Sequence, residues 1–516
     1  MIKALYTVIS GMFLFMTVAA QQIIPLPQKM TAGKGAFIIN AATTIQAPQE
    51  LESEAGILQQ EIQMITGNQL AIEKKASGKN AIILVKTKEQ APAESYRLDI
   101  SATGVTISAA DHTGIFYGCM SLLQLLPAQD WKSDMAAAPV NIPSINVTDF
   151  PRFKWRGLML DLSRTFMSPD YIKRTIRRMA FYKLNVLHLH LTDDQGWRIP
   201  INGYPLLAEK ATTFDPSFHE PKEFQGYYTV ADIQDLNNYA KQMHVDLVPE
   251  IESPGHSHAA LFAYPDLSCS GNIAPIFPFF SGDGVTRDVF CVGNPGSAKF
   301  FRTAITETAA MFPSRYIHLG GDEVPRTEWE QCPKCQALVK SAKLDNTGAL
   351  QGYFMQQLRD QAVKEGKRPV AWDEILHDNK SLTKDWVIMS WTGSKPGMEA
   401  AAKGYDVVMT PTSHMYFDYT YNSINTKKVF EFDPFSGNQD ENVTRHILGI
   451  QANFWSHIDR TQARIDAQLF PRLLALAERA WSSADDKDYE KFNTRKMYHR
   501  NWLKYMDVKY YRGDFK

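Results

Sequence analysis

The sequence predicts an α/β protein: a (β/α)8 TIM barrel preceded by a small α+β domain. Three observations carry that prediction. From residue 155 onward eight short apolar runs recur, most of them separated by a helical stretch. Their apolar continuity is that of strands buried on both faces, and strand–helix units in series close into a barrel. Before that point, residues 21–148 mix short alternating strands with only two helical stretches. Finally, acids and aromatics collect at the C-terminal ends of the eight runs, the face where such a barrel keeps its chemistry.

Taken in order, residues 1–20 differ from the rest. Lys3 supplies a positive start, Val8 to Ala20 is mostly apolar, and Val18-Ala19-Ala20 precedes Gln21. This predicts a signal peptide and export to the periplasm or the extracellular space. The run is short for a membrane helix, which needs about 20 apolar residues, and no Cys follows the predicted cut to carry a lipid. Residues 21–148 form the α+β domain. Its expected strands are Phe37–Ile39, Ala81–Val85, Tyr96–Ile100 and Gly104–Ile107, and its helices run from Leu51 to Ile65 and from Gly114 to Leu126, the latter stopped by Pro127. Ala136-Ala137-Ala138-Pro139 reads as a loop near its end. The barrel domain is expected over 149–485, with a C-terminal helical tail over 486–516 packed on it. Its strands are Gly157–Asp161, Asn185–Leu191, Val245–Ile251, Tyr316–Leu319, Pro369–Trp372, Trp386–Trp391, Tyr405–Thr410 and Ile447–Trp455. Helix punctuation fits: Ser168-Pro169 and Thr229 are N-caps, and Gly366 and Gly404 fall where C-caps belong. Long connections over 192–228 and 253–296 follow the second and third strands, where long structured loops shape binding sites.

Lys plus Arg total 55 and Asp plus Glu 56, so charge gives no reason to expect a nucleic acid partner. Of five cysteines, Cys269 and Cys291 bracket one loop and Cys332-Pro-Lys-Cys335 is a tight pair. Export permits disulfides, and Cys119 is left over as a buried thiol. Cys332 and Cys335 resemble half of a zinc site, but no second pair lies nearby in sequence. No metal and no cofactor is expected.

The chemistry concentrates at His318-Leu-Gly-Gly-Asp-Glu-Val324. Neighbouring side chains of a strand point to opposite faces, so Asp322 and Glu323 can converge only where the strand has ended, after Gly320-Gly321. Two adjacent carboxylates suit acid/base work on a sugar bond, one kept protonated while the other stays charged. The other strand ends carry Asp161 and Arg164; Asp193 and Asp194; Glu250, Glu252 and His256; Trp372-Asp373-Glu374; Trp391; Tyr416 and Asp418; and Trp455. Aromatic walls with polar groups between them hold sugars, whose ring faces stack while hydroxyls seek acids and Arg.

Trp155-Arg-Gly-Leu-Met-Leu-Asp-Leu-Ser-Arg164, Leu187-His-Leu-His-Leu-Thr-Asp-Asp194, Pro249-Glu-Ile-Glu-Ser-Pro-Gly-His256, His318-Leu-Gly-Gly-Asp-Glu323 and Phe470-Pro-Arg-Leu-Leu-Ala-Leu-Ala-Glu-Arg-Ala-Trp481 resemble the motifs of glycoside hydrolase family 20, the β-N-acetylhexosaminidases. The resemblance covers nearly the whole chain after the export segment. It implies substrate-assisted catalysis, in which the 2-acetamido carbonyl of the sugar attacks its own anomeric carbon to give an oxazolinium. Glu323 is then the general acid and later the base, Asp322 orients the acetamido nitrogen, and Tyr416 bonds its oxygen. Trp372, Trp391 and Trp455 box the N-acetyl group and ring. Arg164 holds the 3- and 4-hydroxyls with Asp193 behind it, and His256 sits beside Glu323. A charged Asp322 is expected to raise the proton affinity of Glu323.

Two positions depart from that pattern. Glu252 stands where the family has Asp, one methylene shorter. After Trp455 the family has a Glu two residues on, for the 4- and 6-hydroxyls, and this chain has Ser456-His457. An imidazole donates or carries positive charge where a carboxylate repels anions, so the expected substrate extends to 6-O-sulfated N-acetylglucosamine, with Asp418 at the same sugar edge opposing it. Two other readings stand beside this one. His188-Leu-His190 could belong to a metal-dependent barrel hydrolase, although such a pair sits on the first strand of those enzymes. The pocket could also serve a non-catalytic glycan-binding protein, against which Asp322, Glu323 and Tyr416 all speak.

Overall fold

The computed structural model describes residues 22–74, 78–126, 137–279, 287–377 and 382–515. The signal peptide expected over 1–20, Pro127 and Ala136 lie outside those residues. The chain divides into two compact units. One takes the residues up to Lys154 together with Arg178–Leu184 and the stretch from Phe470 on; the other is Trp155–Arg177 and Asn185–Leu469.

Among the described residues of the first unit, seven strands form one sheet, in the order Lys29–Ile39, Val140–Asp149, Tyr96–Ser101, Gly104–Ala109, Ala81–Lys86, Thr44–Gln46, Ala71–Glu73. Helices Glu52–Thr66 and His112–Gln124 accompany it. The four expected strands and both helices are present. Val140–Asp149 escaped the sequence reading because Pro143 interrupts its alternation. That proline pairs with Ala36 at a register shift of the neighbouring strand, the kind of irregular position where a strand tolerates proline.

The helical tail groups with this unit rather than with the barrel, and residues 470–485 go with it. The reason is local. Helix Arg472–Trp481 ends on carbonyls of Ala480 and Trp481 that accept the amides of Phe153 and Arg152. Trp481 meets Tyr117 edge to face at 5.1 Å, and Arg495 of helix Tyr489–Tyr505 pairs with the buried Glu478.

The second unit is a closed barrel of parallel strands. In chain order they are Trp155–Asp161, Val186–His190, Asp246–Glu250, Tyr316–His318, Arg368–Trp372, Val387–Ser390, Asp406–Met409 and Ile447–Phe454, here termed strands one to eight. Each lies within two residues of its expected position. Trp155, Val186, Val248, Val370, Val387, Met389 and Val408 fill the interior as one buried cluster, so this is a packed core and not a pore. Helix Val230–Gln242 starts on a full capping box between Thr229 and Asp232. The connection after strand two carries the ribbon Thr192–Asp193/Gly196–Trp197 and helix Leu206–Lys210; the one after strand three carries helix His258–Ala263. No helix among the described residues is long and apolar enough to cross a membrane.

Candidate active site

Strand four stops at His318, and the chain turns through Gly320 (φ 68°) and Gly321 (φ 101°). Glycine suits this position on two counts, the left-handed backbone and the neighbour: a Cβ on Gly320 would lie 1.8 Å from Glu252 Oε2. Glu323 follows at φ 46°, a conformation few non-glycine residues adopt. Its amide donates to Glu374 Oε2 at 2.8 Å, beyond the end of strand five. This turn sends the two carboxylates into different surroundings. Asp322 is buried, and its Oδ1 accepts no hydrogen bond among the described residues. The Glu323 side chain is 47% exposed.

His256 stands between the carboxylates and the wall. Its Nε2 is 3.4 Å from Glu323 Oε2 and 3.7 Å from Asp322 Oδ2, and its Nδ1 is 3.3 Å from Asp193 Oδ1. Asp193 also meets Arg164 Nη2 at 2.9 Å and His190 Nε2 at 2.7 Å. Arg164 turns back to Asp161 at 3.3 Å, and Asp161 accepts the amides of Ser163, Arg164 and Ser456, tying the ends of strands one and eight together. Below this layer lies Glu250. One of its oxygens bonds His190 Nδ1 at 2.5 Å and lies 3.0 Å from His188 Nε2; the other lies 2.7 Å from His318 Nδ1, which accepts the Gly320 amide. Charge therefore alternates from Glu250 through His190, Asp193 and His256 to Glu323.

The proton affinities follow from this wiring. Burial alone would lower His190, but Glu250 and Asp193 hold it up to about 10, whereas burial pushes His188 down to about 4. Burial would raise Glu250, yet its three histidines keep it well below the carboxylate range. Likewise Arg164 and His256 overcome burial and keep Asp193 ionised. Burial drives Asp322 up to about 7, against the pull of His256. Glu252 is driven far up by burial and by the neighbouring Asp322 and Glu250, so it is a protonated acid. Glu323 differs from expectation. The hydrogen bond from His256 lowers it instead of Asp322 raising it, because the imidazolium touches Glu323 directly while half of the carboxylate faces water.

The aromatic residues form one wall. Trp372, fully buried, donates from Nε1 to Glu252 at 3.3 Å and lies 6.2 Å from Trp455. Trp455 lies 6.3 Å from Tyr416, which stacks on Trp391 at 6.2 Å. Arg164 overlies Trp455 at 4.9 Å. Burial and Asp322 raise Tyr416, so its hydroxyl stays protonated. Asp418 is half-buried on the segment after Tyr416, and its carbonyl accepts from Gln468. The His457 ring rests on Phe279 at 4.7 Å, and burial together with Arg164 lowers it, leaving a neutral imidazole. Ser456 is buried.

The sequence reading did not foresee Glu374 as the acceptor for the Glu323 amide, nor the histidine cage around Glu250. The signal for the cage was present: His188, His190, Glu250 and His318 are polar residues inside otherwise apolar strands. The reading of His188 and His190 as metal ligands meets an obstacle here. Both nitrogens of His190 already bind carboxylates, and His188 shares Glu250 with it.

Comparison with known proteins agrees with this geometry. The model of the glycosyl hydrolase family 20 catalytic domain matches residues 153–484, and that of the family's domain 2 matches residues 20–150. A β-hexosaminidase of Porphyromonas gingivalis is 36% identical over 92% of this chain, which spans 62% of that relative's length. A β-N-acetylhexosaminidase of Cellulomonas fimi is 30% identical, over 92% of this chain and 93% of its own. Among solved structures, the family 20 exo-β-N-acetylglucosaminidase of Vibrio harveyi, in complex with N-acetylglucosamine, superposes with a TM-score of 0.87 at 31% identity, covering 96% of this chain and 79% of that one. A carboxylate pair at the end of strand four, an aromatic wall, and matches running through both parts of the chain converge on one conclusion: this chain belongs to glycosyl hydrolase family 20.

Proposed function

We propose that the protein is an exported, exo-acting β-N-acetylhexosaminidase that releases terminal β-linked N-acetylglucosamine with retention, through an oxazolinium formed by the sugar's own acetamide. The observation that carries this reading is the contrast between buried Asp322, with an oxygen left unbonded, and half-exposed Glu323 beside it. An acetamido N–H is the donor that Asp322 Oδ1 lacks, and the Tyr416 hydroxyl is a donor for the acetamido oxygen. As the carbonyl oxygen attacks the anomeric carbon, positive charge grows on the nitrogen. That charge draws Asp322 fully into its ionised form, so its stabilisation is strongest in the transition state.

Glu323 donates a proton to the departing glycosidic oxygen. A bound sugar strips water from its exposed half, and desolvation raises its proton affinity toward that of a working acid. Afterwards Glu323 takes a proton from the water that opens the ring, and His256 steadies its charged form. Trp372, Trp391 and Trp455 enclose the acetamide and sugar ring, while Arg164, fixed by Asp161 and Asp193, meets the 3- and 4-hydroxyls. Glu323→Gln should abolish turnover and keep affinity for a thiazoline mimic of the closed ring. Failure of that mimic to inhibit, or equal hydrolysis of glucosides bearing a 2-hydroxyl, overturns the mechanism.

The specificity extends to 6-O-sulfated N-acetylglucosamine. The support is His457, which stands two residues past Trp455 in place of a carboxylate and offers an N–H to a sulfate oxygen without repelling it. Its neutral state makes it a hydrogen-bond donor and not a counter-ion. Side-by-side hydrolysis of an aryl N-acetylglucosaminide and its 6-sulfate decides this: a clear preference for the plain sugar ends the sulfate reading and leaves the hexosaminidase reading intact.

A further inference from the structure

Four of the five cysteines, drawn from separate stretches of the sequence, meet in the barrel unit. Cys269 and Cys291 come from the segment after strand three, and Cys332 and Cys335 from the segment after strand four. Sγ of Cys291 is 3.6 Å from that of Cys332 and 3.7 Å from that of Cys335, and Cys335 is 3.9 Å from Cys269. All four sulfurs lie within 4.8 Å of one another. A tetrahedron of sulfurs about 2.3 Å from a central zinc has edges of about 3.8 Å. Two disulfides would instead draw the sulfurs into two separate bonded couples at about 2.05 Å. Here Cys291 and Cys335 each have two neighbours at nearly the same distance, the pattern of vertices around a common centre.

The surrounding backbone is built for this approach. Cys332-Pro-Lys-Cys335 enters helix Pro333–Ser341, with Cys335 in its first turn. The Gly293 amide donates to Cys335 Sγ at 3.4 Å. Gly293 itself lies on the opposing backbone: a Cβ there would be 2.3 Å from the Lys334 carbonyl carbon and 2.4 Å from the Cys335 nitrogen. Only glycine lets the Cys291 turn settle on the Cys332–Cys335 knuckle. Cys291, Cys332 and Cys335 are buried, and Cys269 is partly covered. Trp329, fully buried, donates to the carbonyl of Phe290, the residue before Cys291, at 2.9 Å.

We propose that Cys269, Cys291, Cys332 and Cys335 hold one zinc ion as a tetrathiolate. Binding deprotonates four thiols and releases the protons to solvent. With all four positions filled by sulfur the site is structural, with no open position for water or substrate. Soft thiolates in tetrahedral array suit zinc. Its role is to clamp the segment that begins with His256 to the segment that begins with Glu323. The sequence argued against zinc because no second Cys-x-x-Cys exists; the barrel supplies the missing pair from a different loop.

The test uses the full chain, purified without chelator or added metal. Elemental analysis should find zinc at one atom per chain. After denaturation in excess chelator, all five thiols, Cys119 included, should react with a thiol reagent. A metal-free protein with one reactive thiol means two disulfides and overturns the proposal, as does a metal-free protein with five, or iron in place of zinc. Cys332→Ser combined with Cys335→Ser should lose the zinc. Should that variant not fold, metal content and thiol count of the unaltered protein still decide.

Discussion

Replacing His190 with Gln tests whether the alternating charges beneath the site stabilise the barrel. His190 is fully buried between Glu250, at 2.5 Å, and Asp193, at 2.7 Å. Its proton affinity rises from the ordinary 6.5 to about 10. At 1.36 kcal/mol for each tenfold change, that rise adds about 4–5 kcal/mol to stability. The figure agrees with the about 3–5 kcal/mol lost when one partner of a buried ion pair is removed. The sign follows from a raised folded-state value. The contribution is complete below pH 6.5, shrinks by about 1.4 kcal/mol per pH unit above that, and vanishes near pH 10. Urea denaturation of His190→Gln and the unaltered protein, followed through the barrel transition at pH 6, 7.5 and 9, should therefore show a gap of about 4 kcal/mol at pH 6 that falls to about 1 kcal/mol at pH 9. A gap below about 1 kcal/mol at pH 6, or one that does not narrow with pH, refutes the reasoning.

Other perturbations probe the layer above. Gly320→Ala forces a side chain into a left-handed backbone 1.8 Å from Glu252 Oε2; a loss of about 2–4 kcal/mol in denaturation and a fall in kcat are expected. Glu374→Ala removes the acceptor that fixes the Glu323 amide, so kcat should fall about tenfold or more while the thermal midpoint changes little, because the bond lies at a partly exposed position. Asp322→Asn should lower kcat by about 10²–10³ and weaken a thiazoline inhibitor in parallel, whereas Glu323→Gln should leave that inhibitor bound. Equal effects of the two substitutions on inhibitor affinity would show that the roles are misassigned.

The barrel was legible because parallel strands buried on both faces are continuous apolar runs, and those runs mark themselves. The carboxylate pair, Arg164, His256 and the aromatic wall were legible because each falls at a strand end. What could not be read was the wiring between strands. Glu374 meets the Glu323 amide across two neighbouring strand ends, and Glu250 gathers histidines from strands two and four, contacts that depend on barrel closure and not on spacing along the chain. The same applies to the cysteines, whose partners lie more than forty residues away. The proton affinity of Glu323 was misread because the sequence shows Asp322 as its neighbour, while in space His256 is the closer charge.

His256 and Glu323 face each other across 3.4 Å, and both hold φ near +45°. At such positions a glycine would relieve about 1 kcal/mol of backbone discomfort apiece. Burial against Asp193 makes the His256 side chain worth keeping for the fold, whereas Glu323, half exposed, is a catalytic residue whose side chain the fold can lose and gain by losing. Directed evolution of this protein under selection for heat resistance alone would drift toward glycine at position 323 and a silent catalyst, so any campaign to toughen it must screen for turnover in every round.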